Sequence, residues 1–175
     1  NNGMPMTSSL GCGTWGGNHE SIYAKTVDNA FKNQRTGLWG FDLKVSSFEA
    51  NWAVLTLNWS LSGTPATSNS GLCFQLTPDG EGKYQIDPKF LESVAMASAP
   101  ASFSIAEFVR ITIECTSTGD VTVKANGTTI GTAAGGANVN YLYNEYPYAG
   151  FPGLTLSTGG DGAYSLLIKR FSAPA

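Results

Sequence analysis

Charge is scarce in this sequence. Asp, Glu, Lys and Arg make up 13% of its residues, where about 25% is usual. Ten basic residues stand against thirteen acidic ones for a net charge of −3, and the basic residues are scattered. That balance excludes a partner recognised through its phosphate backbone, so no nucleic acid is expected. His19 is the one histidine, and Cys12, Cys73 and Cys115 form no C-x-x-C pair, which excludes a structural zinc site. No apolar run approaches the ~18 residues of a membrane span, and residues 1–9 lack a basic start followed by an apolar block. No membrane insertion is expected, and the chain reads as a soluble domain, processed or excised. With so few charges, its surface is left to Ser, Thr, Asn and Gly.

What the sequence does have is two-fold alternation. Phe41, Leu43 and Val45 alternate with Asp42, Lys44 and Ser46, and Leu55, Leu57, Trp59 and Leu61 alternate with Thr56, Asn58 and Ser60. Each pattern predicts a strand with one buried face. Val109, Ile111, Ile113 and Cys115 form a third such row, and a polar turn over 116–120 leads to Val121, Val123 and Ala125. Asn126-Gly127 then supplies the positive φ angles of a type I′ turn, and 128–132 returns with Ile130 inward, so three strands form a meander. Further on, 154–157 reads as a short strand, 157–162 as a Gly-rich turn and 163–171 as a long closing strand with two apolar faces. Residues 88–97, with Phe90, Leu91 and Val94 on one side and Pro88 at the start, are expected to form one short helix.

The 175 residues suit one domain, 1–175, large enough to bury roughly 70% of the unfolded surface without a disulfide or metal. About ten short strands with at most one short helix predict an all-β fold. A two-sheet antiparallel sandwich buries such half-apolar strands best. The cysteines read most simply as buried or half-buried free thiols, with one disulfide as the alternative. The sequons Asn58-Trp59-Ser60 and Asn126-Gly127-Thr128 permit a secreted eukaryotic origin.

The run 108–114, followed by 119–131 with its Asn126-Gly127 turn, resembles the concanavalin A-like (laminin G-like) jelly rolls of the lectin and glucanase superfamily. The close of the chain, 150–154 through Gly159-Gly160-Asp161-Gly162 to Lys169-Arg170-Phe171, is similar to the way those domains return to the sheet holding their N-terminal strand. The resemblance implies a jelly roll in which one curved sheet and its rim loops bind sugars. It does not choose among lectins, glucanases and structural spacers.

Enzyme chemistry finds little footing. Jelly-roll glucanases use two glutamates on one strand as acid and nucleophile, and no E-x-D-x-E run occurs here. Asp79 and Glu81 belong to a turn composition, and a pair drawn from separate strands, such as Glu49 with Glu114, is left open. His19 lies in a Gly-rich loop with no G-x-S-x-G elbow. Gly135-Gly136 and Gly159-Gly160 lack a Walker lysine. Asp161 with neighbouring carbonyls is a weak candidate for structural calcium, the one cofactor the sequence allows.

Binding chemistry finds more. Residues 138–151 hold four of the seven tyrosines and three asparagines. A tyrosine ring offers an apolar face with a hydroxyl at its edge, and an amide offers a donor beside an acceptor, which suits a sugar's alternating C–H and O–H surface. Sealing the open end of a sandwich is the competing role for those rings. Trp39 and Trp59 continue inward rows and read as core. Trp15, beside His19 in a Gly-rich loop, reads either as part of an aromatic platform or as an anchor for an N-terminal arm.

The expected function is a non-catalytic carbohydrate-binding domain using Trp15, His19, Asn138, Asn140, Tyr141, Tyr143, Glu145, Tyr146 and Tyr148. Alternatives are a virion surface domain in host attachment and a polysaccharide-degrading glycosidase or lyase. Expected partners are a carbohydrate or glycoconjugate, with a homo-oligomer allowed, at an extracellular or virion-surface location.

Overall fold

The structure is a computed structural model that describes residues 4–7, 20–23, 37–48, 52–60, 71–91, 96–134, 151–159 and 164–172. Among these residues every regular element is a strand: β1 (Met4–Thr7), β2 (Glu20–Tyr23), β3 (Gly37–Phe48), β4 (Trp52–Ser60), β5 (Gly71–Pro78), β6 (Lys83–Leu91), β7 (Ala97–Ser98), β8 (Ala101–Ser104), β9 (Val109–Cys115), β10 (Val121–Ala125), β11 (Thr128–Ala133), β12 (Phe151–Gly159) and β13 (Tyr164–Ser172). They form two antiparallel sheets. One has seven strands in the order β1-β13-β3-β9-β10-β11-β7, and the other has six in the order β2-β12-β4-β5-β6-β8. The fold is an all-β jelly-roll sandwich. Its chain passes repeatedly from one sheet to the other, so neighbouring strands are often far apart in sequence.

Alternation builds the layers as expected. In β9, Val109, Ile111, Ile113 and Cys115 are buried while Arg110, Thr112 and Glu114 face outward, and β10 repeats the pattern with Val121, Val123 and Ala125 inside. Asn126 and Gly127 take φ angles of 48° and 82°, the left-handed pair that joins β10 to β11 at the twist of a right-handed hairpin. The β9–β10 turn closes on backbone bonds from the Thr116 amide to the Asp120 carbonyl and from the Gly119 amide to the Thr116 carbonyl, and the Thr116 hydroxyl accepts from the Asp120 amide at 3.0 Å. Trp39, Phe41, Leu43 and Val45 of one sheet meet Leu55, Leu72, Phe74, Leu76, Tyr84 and Ile86 of the other, all buried. Phe41 and Phe74 touch edge to face at 5.7 Å across the seam. The closing strand β13 lies between β1 and β3, with Leu166 and Ile168 buried and Leu167 and Lys169 half-exposed on its other face.

Two expectations are corrected. The helix predicted over 88–97 does not form at its start, because β6 continues through Pro88 to Leu91 with Pro88 opposite Phe74. The two-fold period wins: Tyr84, Ile86 and Pro88 are buried while Gln85, Asp87 and Lys89 are half-exposed. Proline is tolerated there because β8 reaches only to Ile86, so that among the described residues the outer edge of β6 has no ladder partner beyond it. Residues 92–95 lie outside the described residues. The second correction concerns 157–159, expected in a turn, which belong to β12 and pair with Val54, Ala53 and Trp52. Strands β1, β2, β7 and β8 and the length of β6 were not legible in the alternation.

Candidate functional site

Each sheet has one face in the core and one outside it, so a site built on strands must use an outer face or a rim. The six-stranded sheet presents on its outer side the half-exposed residues Gln75 and Thr77 of β5, Gln85, Asp87 and Lys89 of β6 and Ser104 of β8, with the exposed Ser102. Gln75 stands directly opposite Asp87, and Thr77, Gln85 and Ser102 form the next row. Lys89 lies in a row that continues through Cys73, Thr56 and Thr155 to Ser21 across the sheet. The only formal charges among the described side chains at its centre are Asp87 and Lys89, whose Oδ2 and Nζ atoms pair at 3.3 Å.

Asp87 carries the informative atom. Its Oδ1 is shielded from solvent and has no hydrogen-bond partner among the described residues. A buried acceptor left without a donor costs about 1–3 kcal/mol. An incoming O–H or N–H group would remove that cost. Amide, hydroxyl, carboxylate and ammonium together offer both senses of hydrogen bond on a nearly neutral surface.

At the end of this sheet the β5–β6 turn is tied down. The Asp79 amide donates to the Lys83 carbonyl at 3.0 Å, the Ile105 amide donates to the Gly82 carbonyl at 3.0 Å, and the Ser102 hydroxyl donates to the Asp79 carboxylate. Asp79 and Glu81 are therefore exposed turn residues, not a cleft pair. Glu114 lies on β9, in the other sheet, and Glu49 lies outside the described residues.

The opposite, seven-stranded sheet carries a locked ionic cluster on its outer face. Asp42 is only 2% exposed. Arg170 grips it with two donors, Nε to Oδ2 and Nη2 to Oδ1, the latter at 3.0 Å, and Arg110 Nη1 donates to Oδ1 at 3.4 Å and to the Arg170 carbonyl at 3.1 Å. Burial by itself would raise the Asp42 carboxyl. The hydrogen bond and charge of Arg170, with those of Arg110, outweigh it and hold the group below the usual 3.8. Arg170 is in turn raised by its bond to Asp42. Elsewhere, burial pushes the Cys115 thiol up, with the charge of Asp120 adding to the effect, so Cys115, free and buried, is a core thiol and not a nucleophile.

The residues singled out from the sequence, Trp15, His19, Asn138, Asn140, Tyr141, Tyr143, Glu145, Tyr146, Tyr148 and Asp161, all lie outside the described residues. The strands beside them show where the chain delivers two of these segments. The tyrosine-rich stretch leaves β11 in one sheet and enters β12 in the other at Phe151, opposite Ser60, while Glu20, which follows His19, is opposite Leu156. These two entry points are five residues apart along β12, roughly 17 Å. Among the described residues no group of three His, Cys, Asp or Glu side chains converges to hold a metal. Gln75, Asp87 and Lys89 escaped sequence reading, although the alternation of 72–77 carries the first and that of 84–89 the other two. Pro88 drew that segment toward a helical reading.

No family model matches the sequence, and no curated protein sequence does. Solved structures do match. They include CG-16, a homodimeric agglutinin from chicken liver (13% identity, 89% of this chain and 98% of that one, TM-score 0.43). Xenopus laevis galectin-Ib is similar at 13% identity over 89% of this chain and 98% of its own, with a TM-score of 0.46. A Bacillus licheniformis β-glucanase is similar at 10% identity over 99% and 94%, with a TM-score of 0.45. These are members of the concanavalin A-like jelly-roll lectin and glucanase superfamily. Lectins and hydrolases stand side by side among them, so what this chain does is argued from its own site.

Proposed function

We propose that this chain is a non-catalytic carbohydrate-binding domain whose ligand lies on the outer face of the six-stranded sheet. The observation that carries the reading is Asp87: one carboxylate oxygen is engaged by Lys89, and the other is shielded without a donor beside Gln75. A saccharide that displaces the side chains covering that oxygen would donate to it through one hydroxyl while its neighbouring hydroxyls accept from Gln75, Gln85 and Lys89. The tyrosines and asparagines of 138–148 belong to the same proposal as rim contacts, because their segment enters the six-stranded sheet at Phe151. An extracellular or virion-surface setting suits a surface this poor in charge, and is part of the proposal.

Titration against a panel of neutral oligosaccharides tests the site. Asp87→Ala and Gln75→Ala should each weaken binding about tenfold, the size of one lost hydrogen bond of about 1.4 kcal/mol. Unchanged affinity in both would remove the sheet face. If Tyr143→Ala and Tyr146→Ala alone weaken binding, the ligand sits on the rim. Product released from a polysaccharide panel would overturn the non-catalytic assignment.

A further inference from the structure

The outer face of the seven-stranded sheet gathers cations. Lys44 on β3, Arg110 on β9, Lys124 on β10 and Lys169 and Arg170 on β13 account for five of the chain's ten lysines and arginines. The register puts Lys169, Asp42 and Arg110 in one row and Gly40, Thr112 and Lys124 in the next. The four strands span about 14 Å at the usual spacing. On this face the described acidic residues are Asp42, already enclosed by the two arginines, and Glu114, with Glu107 and Asp120 in the loops at its ends.

Three features hold these cations in place. The ladder between β13 and β3 shifts register between Lys169 and Ser172, and Arg170 takes a φ of 51° there. The bulge thereby turns two successive cations onto one face, against the ordinary alternation of a strand. Gly40 leaves room for the Arg110 guanidinium to lie over the backbone of β3, since a Cβ at that position would stand 2.9 Å from Cζ. Phe108 sits beneath both lysines, with Lys169 Nζ 3.8 Å and Lys44 Nζ 5.6 Å from its ring centre. Arg110 Nη2 and Arg170 Nη1 donate to nothing among the described residues.

We propose that this face binds a linear acidic polysaccharide through its carboxylate or sulfate groups. Guanidinium donors in a fixed fork match such oxyanions, as Arg170 does with Asp42. Cations recurring from strand to strand match anions recurring along an extended chain. A nucleic acid is a poorer match, because its dense phosphates would run past the patch onto a chain of net charge −3. A protein partner would want a central apolar anchor. Among the described residues the exposed large hydrophobic is Leu38, at the far end of the face.

The test measures binding of dextran sulfate, polygalacturonate and neutral dextran to the wild type and to Lys44→Gln/Lys169→Gln, which leaves the Asp42 cluster intact. Binding to at least one polyanion is expected, weakening with added salt and falling at least tenfold in the double variant, whereas any binding of neutral dextran is indifferent to both. Which polyanion binds separates sulfate from carboxylate recognition. Thermal melting verifies that the variant is folded, and Lys124→Gln supplies an independent variant if it is not. No polyanion binding at low salt, or binding unchanged in both variants, overturns the proposal. An oligonucleotide that binds more tightly than either polyanion overturns it too, as does wild-type self-association abolished by the same changes. Asp87→Ala leaves polyanion binding unchanged, so the two faces fail or stand separately.

Discussion

Asp42 occupies an outward position of β3, yet it is the buried charge among the described residues. Nothing in Phe41-Asp42-Leu43 distinguishes it from Lys44 or Ser46, because its partners are 68 and 128 residues away. A lowered carboxyl stabilises the folded state above its unfolded value, and that contribution is lost as pH falls through the lower folded value. Asp42→Asn should therefore destabilise the wild type by about 1–2 kcal/mol near neutral pH. This is less than a fully buried pair would lose, because the Arg170 side chain is 70% exposed. Urea midpoints should differ near pH 7 and draw together only as the pH falls through the lowered folded value, where both chains come to bear a neutral group at position 42. A difference that persists in acid would mean that Asp42 acts through packing alone.

Turns and crossings were unevenly legible among the elements. The β10–β11 hairpin was, since Asn126-Gly127 is a local signal whose positive φ values depend on nothing outside the turn. Gly127→Ala, at φ 82°, should cost about 1 kcal/mol, read as a lower denaturation midpoint with the slope unchanged. Strand β6 was not legible, because its inner row is completed by a proline and its acceptability depends on where β8 stops. Gly131 shows the same dependence. It faces Pro88 Cγ, 2.7 Å from where a Cβ would stand, and Met96 Sδ at 2.8 Å. Gly131→Ala should destabilise by about 1–3 kcal/mol through overpacking. A neutral result would show that Met96 moves aside.

For the molecule as a whole, one core joins the sheets, and Phe74 sits at its centre against Phe41. Phe74→Ala should cost about 3–5 kcal/mol. Tryptophan fluorescence and far-ultraviolet circular dichroism should shift together, because Trp39 belongs to the same buried cluster. Transitions that separate would mean that the sheets unfold independently. The sandwich leaves two outer faces of different chemistry: amide and hydroxyl groups around one ion pair on the six-stranded sheet, cations around a locked carboxylate on the seven-stranded one. Each arises from several strands, none of which bears a motif of its own.

Alternation by itself determined the all-β class, the β9–β11 meander, the inward rows and the closing strand, because a side chain's face depends on its own position in the strand. Only the tertiary structure decided which strands lie side by side. The Asp42 cluster, the opposition of Gln75 to Asp87 and the cationic face follow from that pairing, because an outward charge acquires its partners from strands distant in the chain.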